Sequence, residues 1–156
     1  MPVPEAAENT RAAASAVDRY LGSLGIGVRR LAYGEWGLCL PPGVAGCREL
    51  EMSVRIEDGL LAIRAFAAAA SEQLPAPLLL HLNRQTRLAR VGCSLSGEVW
   101  VHAELPVDQL QTSTLDRVLG HVVEAAAAIR ELLRARTEGV ERWPSPWADG
   151  PQRRWD

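Results

Sequence analysis

Three histidines and three glutamates are the side chains of this sequence best suited to metal binding or acid–base chemistry. They are His81, His102, His121, Glu49, Glu51 and Glu57. A metal site would need two histidines to meet beside carboxylates, and their wide spacing favours separate surface histidines instead. Glutamates an even number of residues apart along a strand share one side, which is typical of solvent-facing charges rather than of an acid–base pair. With no nucleophile elbow and no phosphate-binding glycine loop, the sequence predicts a protein that is not an enzyme and has no metal site or cofactor.

Three cysteines, Cys39, Cys47 and Cys93, lie far apart in the chain and form no CxxC pair. An odd number of widely spaced cysteines is not the pattern of a disulfide framework or of a zinc site. Free thiols persist in reducing compartments. We therefore predict reduced thiols in the core of a cytoplasmic protein.

The length and charge of the chain restrict the classes of protein to which it can belong. A chain of 156 residues suits one domain. We place it at residues 1–136, with its core at 5–136, followed by a tryptophan- and proline-rich tail at 137–156. The net charge of −2 gives no basis for binding nucleic acid through the chain as a whole. No apolar stretch approaches the roughly 20 residues needed to cross a membrane, and the N-terminus lacks a signal-peptide pattern.

Arginines provide the only concentrated positive charge. Arg84, Arg87 and Arg90 form a short basic run, which we place beside Arg29 and Arg30. Such a cluster could meet an acidic partner or a phosphate backbone. We favour a solvated edge, because the chain as a whole is not basic.

The clearest local signal is a β-hairpin around Asp58-Gly59. Apolar residues alternate with polar ones on both sides of this dipeptide, which is typical of a two-residue turn. Such a turn sets Ile56 opposite Leu61 and keeps apolar residues facing apolar residues along the hairpin. The other side is mixed. One side is therefore predicted to lie in the core.

A second hairpin is predicted at residues 88–106. A two-residue loop would mix its two sides, whereas a three-residue loop at 95–97 keeps them apart and puts Gly97 in the left-handed position. On the polar side Trp100 then faces Gly92, and the indole is expected to cover the bare backbone. The apolar side pairs Cys93 with Val99, Val91 with Val101 and Ala89 with Ala103.

Helical periodicity occurs in three places. These are an alanine-rich stretch at 5–24, a short run at 78–82, and a long stretch from Thr112 onward. A single strand at 28–40 is predicted between the first helix and the first hairpin. The order helix, strand, hairpin, helix, hairpin, helix predicts an α+β fold, with one antiparallel sheet and the helices packed on one face.

One face of that sheet would then remain uncovered by helices. Trp100, Leu60 and Phe66 fall on this half-polar outer face, and grouped apolar side chains on a surface usually mark a contact site. The cover could be the tryptophan-rich tail, a second copy of the protein or a client segment. The candidate protein-contact residues are Leu60, Arg64, Phe66, Arg90, Trp100, His102, Trp143 and Trp147.

Five stretches, in this order along the chain, carry a family resemblance. They are GEWGLCLPP, the LLAIRAFA that follows the first hairpin turn, LLLHLNRQTRLARVGCSLSGEVWVHAELP, LDRVLGHVVE and VERWPSPW. Together they cover about Gly34 to Trp147 and resemble the YbjN-domain family, described as bacterial sensory transduction regulators and similar in fold to type III secretion chaperones. The stretch AAAASEQ departs from that family, which has more aromatic and charged residues there. The resemblance implies a non-enzymatic bacterial protein, often dimeric, that binds other proteins.

Two hypotheses about function remain. The first is a chaperone-like or regulatory adaptor whose outer sheet face and edges hold a protein partner, and also a second copy of the chain as a homodimer. The alternative is a regulatory domain that senses a small molecule in a pocket between helices and sheet, since alanine-rich helices can leave room for one.

Overall fold

The computed structural model describes residues 4–138. It contains three α-helices, six strands and two short 3-10 turns. The helices are α1 (Pro4–Ser23), α2 (Ala76–Gln85) and α3 (Thr112–Thr137). The strands are β1 (Gly27–Ala32), β2 (Glu35–Leu40), β3 (Leu50–Glu57), β4 (Leu60–Ala68), β5 (Arg90–Cys93) and β6 (Val99–Pro106). The 3-10 turns are Ala70–Glu72 and Val107–Gln109.

All six strands form one antiparallel sheet in the order β1-β2-β3-β4-β6-β5. The predicted α+β class is thus confirmed. The first predicted hairpin is β3–β4, and Ile56 pairs with Leu61 as the two-residue turn requires. The two predicted hairpins lie side by side, because β4 pairs with β6. That pairing carries the outer-face residues of both hairpins onto one continuous surface.

The region predicted as a single strand is instead a hairpin made of β1 and β2. The chain reverses at Tyr33 and Gly34, and Gly34 has a φ of 71°, which glycine adopts without steric penalty. Ile56 in β3 donates a backbone hydrogen bond to the Gly34 carbonyl at 2.8 Å. This contact ties the turn to the next strand, so the sheet has six strands where five were predicted.

The loop of the second hairpin has the predicted length. Ser94 donates its backbone N–H to the Glu98 carbonyl at 2.9 Å, which closes a three-residue loop at 95–97. Gly97 has a φ of 92°, the left-handed region that this loop requires. The predicted pairs Cys93–Val99 and Val91–Val101 are both present.

The inner face of the sheet lies under the helices and is apolar. Within residues 7–138 no polar or charged residue is buried. Trp36, Ile63 and Val101 from three different strands are almost fully buried. Val122 and Ile129 of α3 belong to the same cluster. This is the cover that the predicted hairpins require, since an isolated hairpin is only marginally stable in water.

None of the three cysteines is a core thiol, contrary to the sequence prediction. Cys47 and Cys93 are exposed and Cys39 is half-buried. Cys39 lies on the outer side of β2, and Cys93 ends the edge strand β5, where no helix covers it. The Cys39 thiol donates a hydrogen bond to Glu49 at 3.4 Å. Desolvation and then Glu49 raise the pKa of this thiol.

A single arginine fastens α3 to one end of the sheet. The Arg130 guanidinium donates hydrogen bonds to the carbonyls of Ala45 and Arg48 at 3.1 Å, and of Ala67 and Phe66 at 3.4 Å. Desolvation, and then the nearby Arg48, lower the pKa of Arg130, although a guanidinium stays charged in proteins. These contacts fix the backbone of β4 at Phe66, which is part of the outer face.

Candidate protein-binding surface

An aromatic pair occupies the outer face of the sheet, opposite the helices. The pairing of β4 with β6 sets Phe66 directly across from Trp100. Their ring centroids are 5.2 Å apart at an interplanar angle of 69°, an edge-to-face arrangement. Both side chains are half-buried, and the Trp100 indole donates a hydrogen bond to Glu98 at 3.4 Å. We call Phe66 and Trp100 the aromatic patch.

A row of cationic and neutral polar groups crosses the outer face beside the aromatic patch. Arg64 lies opposite His102 in one direction and Ser53 in the other, and His102 also lies opposite Arg90. The Arg90 guanidinium donates to the carbonyls of Arg87 and Ala89, both at 2.9 Å. The Arg64 side chain is exposed and makes no hydrogen bond or ion pair with any side chain described between residues 7 and 138. Its charge is therefore free to meet a carboxylate from another polypeptide.

Two shallow depressions adjoin Trp100. The larger, of about 520 Å³, has Arg64 and His102 on its wall. The smaller, of about 410 Å³, is lined by Phe66 and by the carboxylates of Glu51 and Glu98. The surface therefore has an aromatic centre, with Glu51 and Glu98 toward one end and Arg64, His102 and Glu104 toward the other.

The bare backbone of Gly92 is covered by a different side chain from the one predicted. A Cβ at Gly92 would lie 3.3 Å from Cε1 of His102, and no indole atom comes within 4 Å of it. The expectation that Trp100 covers Gly92 is thus wrong. The Trp100 ring contacts Phe66 instead, because β4 brings a large apolar partner to the other side of β6.

The structure brings together five of the eight predicted contact residues, namely Arg64, Phe66, Arg90, Trp100 and His102. Leu60 is 37% exposed on the same face but lies opposite Pro106. Phe66 is six positions further along the strand, a distance of roughly 20 Å. Trp143 and Trp147 lie outside the described residues.

Five polar residues on this surface were not among the predicted contacts: Glu51, Ser53, Ser94, Glu98 and Glu104 line the two depressions. Strand alternation alone assigns Glu51 and Ser53 to the polar side of β3. Their proximity to Trp100 depends on the pairing of β4 with β6, for which the sequence carries no local signal.

The predicted basic cluster does not form. Arg29 and Arg30 belong to β1, at one edge of the sheet, whereas Arg90 belongs to β5, at the opposite edge. Arg30 pairs with Asp18 at 2.9 Å and lies over the ring of Trp36 at 5.7 Å. It therefore holds β1 against α1. Arg84 and Arg87 lie near β5, so four intervening strands separate them from β1.

A further depression, of about 250 Å³, lies where α2, β5 and α3 meet. Leu82, Val91 and His121 are among the residues that line it. Asn83 fixes α2 there, since its amide donates to the Val91 carbonyl at 2.8 Å and its oxygen accepts from the Val91 N–H at 2.6 Å. This depression is at the rim of the helix layer, whereas α3 packs directly on the centre of the sheet.

Between residues 4 and 138 no group of three or more histidine, cysteine, aspartate or glutamate side chains is arranged to hold a metal ion. Over the same residues, none of the helices has both the length and the apolar surface needed to cross a bilayer. The outer face carries Trp100 and Arg64, and tryptophan and arginine are residue types enriched at the centres of protein contact surfaces.

The fold is shared with solved chaperone structures. A chain of the HopA1–SchA chaperone–effector complex matches with a TM-score of 0.63 and 15% identity, covering 83% of this chain and 99% of that chain. A chain of the ExsC–ExsE complex matches with a TM-score of 0.59 and 18% identity, covering 77% of this chain and 95% of that chain. No family model matches the sequence, and a search of curated proteins finds no match.

The same fold is found in the type III secretion chaperone SycH of Yersinia pestis, which matches with a TM-score of 0.51 and 13% identity over 75% of this chain and 98% of that chain. The chain also shares this fold with YbjN from E. coli, which matches with a TM-score of 0.55 and 17% identity over 79% of this chain and 90% of that chain. The predicted likeness to both groups is confirmed at the level of the fold.

Proposed function

We propose that this chain is a non-enzymatic protein-binding module, a chaperone-like or regulatory adaptor that holds a polypeptide partner against the outer face of its sheet. The observation that carries the proposal is the aromatic patch on a face that no helix of the described chain covers. Arg64 lies beside it without an ion-pair partner among the side chains described at residues 7–138. Tryptophan and arginine at the centre of a contact surface supply most of the binding energy in many interfaces.

The likeness of fold supports this proposal. Two of the matching structures are complexes, HopA1 with SchA and ExsC with ExsE. We extend that mode of action, binding of another protein, to this chain. We also propose that it acts in the bacterial cytoplasm, where the three free cysteines would remain reduced.

A homodimer is part of the proposal, on a surface other than the aromatic patch. Leu80 on α2 is 67% exposed and Leu88, just before β5, is 40% exposed. Strand β5 is an edge strand with one unpaired side. Light scattering should give twice the monomer mass for the wild type and the monomer mass for Leu80→Glu. A monomeric wild type at high concentration removes the dimer and leaves the adaptor.

The adaptor function is tested by affinity capture from the native cytosol with three versions of the full chain. The wild type and Tyr33→Glu, a matched charge on an aromatic residue that is 64% exposed in the β1–β2 turn, away from both the patch and the proposed dimer surface, should retain the same partner. Trp100→Glu should lose it, because a carboxylate replaces the ring at the centre of the surface. If all three versions captured the same partners, the outer face would not be the surface that binds them.

The depression between α2, β5 and α3 favours a second candidate, a regulatory domain that senses a small molecule. It has an apolar floor and polar groups at its rim, which is the general character of ligand sites. A compound that raises the melting temperature of the wild type and of Trp100→Glu, but not of Ala128→Leu, would support this function. A broad metabolite screen that finds no such compound would count against this second function.

A further inference from the structure

We propose that the C-terminal segment of this chain, residues 139–156, docks on the aromatic patch and competes there with the partner. The competition rests on the proposed function, whereas the docking itself does not. In this proposal the aromatic patch is occupied by a segment of the same molecule, which binds there through Trp143 and Trp147. Three observations lead to it: where the described chain ends, how long the segment is, and how its charges are ordered.

The described chain ends at the same end of the sheet as the aromatic patch. Near the end of α3, Arg136 donates a hydrogen bond to the Gln73 carbonyl at 3.3 Å, just after the 3-10 turn Ala70–Glu72. The same turn packs against the second hairpin, since a Cβ at Gly97 would lie 3.5 Å from the Ala70 side chain. Trp100 follows three residues later on β6. The end of α3, the turn and the hairpin loop thus lie together at this end of the sheet.

Distance does not prevent the segment from reaching the patch. Arg130 contacts the Phe66 carbonyl at 3.4 Å, and Glu138 follows eight residues later, or roughly 12 Å along the helix axis. With the arginine side chain and the hydrogen bond added, Glu138 lies within roughly 25 Å of the Phe66 carbonyl. An extended chain covers up to ~3.5 Å per residue, so Trp143 can reach about 17 Å and Trp147 about 30 Å beyond Glu138.

Two tryptophans of the segment are joined by a short proline-rich sequence. Trp143 and Trp147 flank the sequence Pro144-Ser145-Pro146. Proline fixes its own φ and biases the residue before it toward extended backbone, so a Pro-x-Pro sequence loses less entropy when it docks in an extended form. Proline-rich extended segments commonly bind surfaces lined by aromatic rings.

Charge complementarity sets the direction of docking. Arg142 directly precedes the first of these tryptophans, and Asp149 follows shortly after the second. On the surface, Glu51 and Glu98 lie at one end of the aromatic patch, and the two cationic or neutral basic groups Arg64 and His102 lie toward the other, beside Glu104. Arg142 would therefore meet the two glutamates, and Asp149 would meet Arg64.

The docking is tested by photo-crosslinking in the full chain, without any partner. Phe66→benzoylphenylalanine keeps an aromatic ring at the patch, and Leu60→benzoylphenylalanine places the same group on the same strand, roughly 20 Å away. After irradiation, the variant at position 66 should give a crosslinked peptide from residues 139–156 at the monomer mass, in several-fold excess over the variant at position 60. A crosslink at the dimer mass, equal yields at the two positions, or no crosslink to this segment would overturn the proposal.

A second readout identifies the residues that dock. With fluorotryptophan incorporated, the ¹⁹F resonance of Trp100 should shift when Trp143→Ser and Trp147→Ser are combined, and should stay in place for Trp155→Ser. An unmoved Trp100 resonance in the double variant would contradict the proposal. Neither measurement involves the partner, so a failure here leaves the proposed function standing, and a failed capture experiment leaves the docking standing. If both proposals hold, the double variant should bind the partner several-fold more tightly than the wild type.

Discussion

The two faces of the sheet are built from the same strands and have opposite characters. Along β4, Leu61, Ile63 and Ala65 are buried beneath the helices, while Arg64 and Phe66 between them face outward. The inner face is apolar throughout, and the outer face mixes aromatic rings with both signs of charge. A substitution on one face should therefore change mainly stability, and a substitution on the other mainly binding.

The largest effect should come from neighbours in sequence that lie on opposite faces. Ile63 is 2% exposed, so Ile63→Ala should lower the free energy of unfolding by about 2–5 kcal/mol, through lost burial and the cavity left behind. Arg64→Ala should change it by no more than about 0.5 kcal/mol. Urea unfolding of the two variants measures both changes in the free energy of unfolding. Equal losses would mean that the outer face is also structural.

Next in size is the contact that holds α3 against one end of the sheet. Arg130→Ala removes the donor for four carbonyls and should cost about 2–3 kcal/mol of stability, since hydrogen bonds from charged groups are worth more than neutral ones. Arg117→Ala, on the exposed side of the same helix, is the matched control and should be near neutral. A near-neutral Arg130→Ala would show that packing alone holds α3 in place.

A pH-dependent effect should come from the contact between α1 and α3. The Tyr20 hydroxyl donates to Asp116 at 2.9 Å, and desolvation, then that carboxylate, raise the Tyr20 pKa. Above about pH 10, where an unfolded tyrosine ionises, the unfolded chain loses a proton that the folded chain keeps, so stability should fall as pH rises. Tyr20→Phe should cost about 1 kcal/mol at neutral pH and flatten this decline. The free energy of unfolding, measured from pH 7 to 11 for the wild type and Tyr20→Phe, tests this prediction. Parallel curves of stability against pH for the two proteins would contradict it.

The smallest expected effect has the opposite sign. Gly120 lies in the middle of α3, and a Cβ there would have no neighbour within 4 Å. Gly120→Ala should stabilise the protein by roughly 0.5–1 kcal/mol, because alanine loses less conformational freedom in a helix. Binding to the outer face should be unaffected. A loss of stability would indicate that α3 needs glycine there for a contact beyond the described residues.

Local patterns in the sequence predict the faces and the hairpin registers well. The alternation around Asp58-Gly59 and the parity argument for Gly97 both give the observed pairs, because a one-residue slip would move every apolar side chain to the wrong face. The turn at Gly34 was missed, since Trp36 and its neighbours continue a strand-like alternation across it.

Contacts between distant elements could not be predicted in the same way. Arg130 and its carbonyls, Asp18 with Trp36, and Asn83 with Val91 join residues whose relation depends on the tertiary fold. The candidate surface is a mixed case. The sequence places Phe66 and Trp100 on the outer face, but only the pairing of β4 with β6 brings them into contact.

The central claim is that the outer face binds polypeptide through the aromatic patch, and the most direct test is an affinity measurement. Once a captured partner is purified, its dissociation constant is measured for the wild type, Trp100→Glu and Tyr33→Glu by calorimetry. We predict binding at least tenfold weaker for Trp100→Glu and unchanged for Tyr33→Glu, which changes an exposed ring away from the patch. Wild-type affinity in a folded Trp100→Glu protein would contradict the claim.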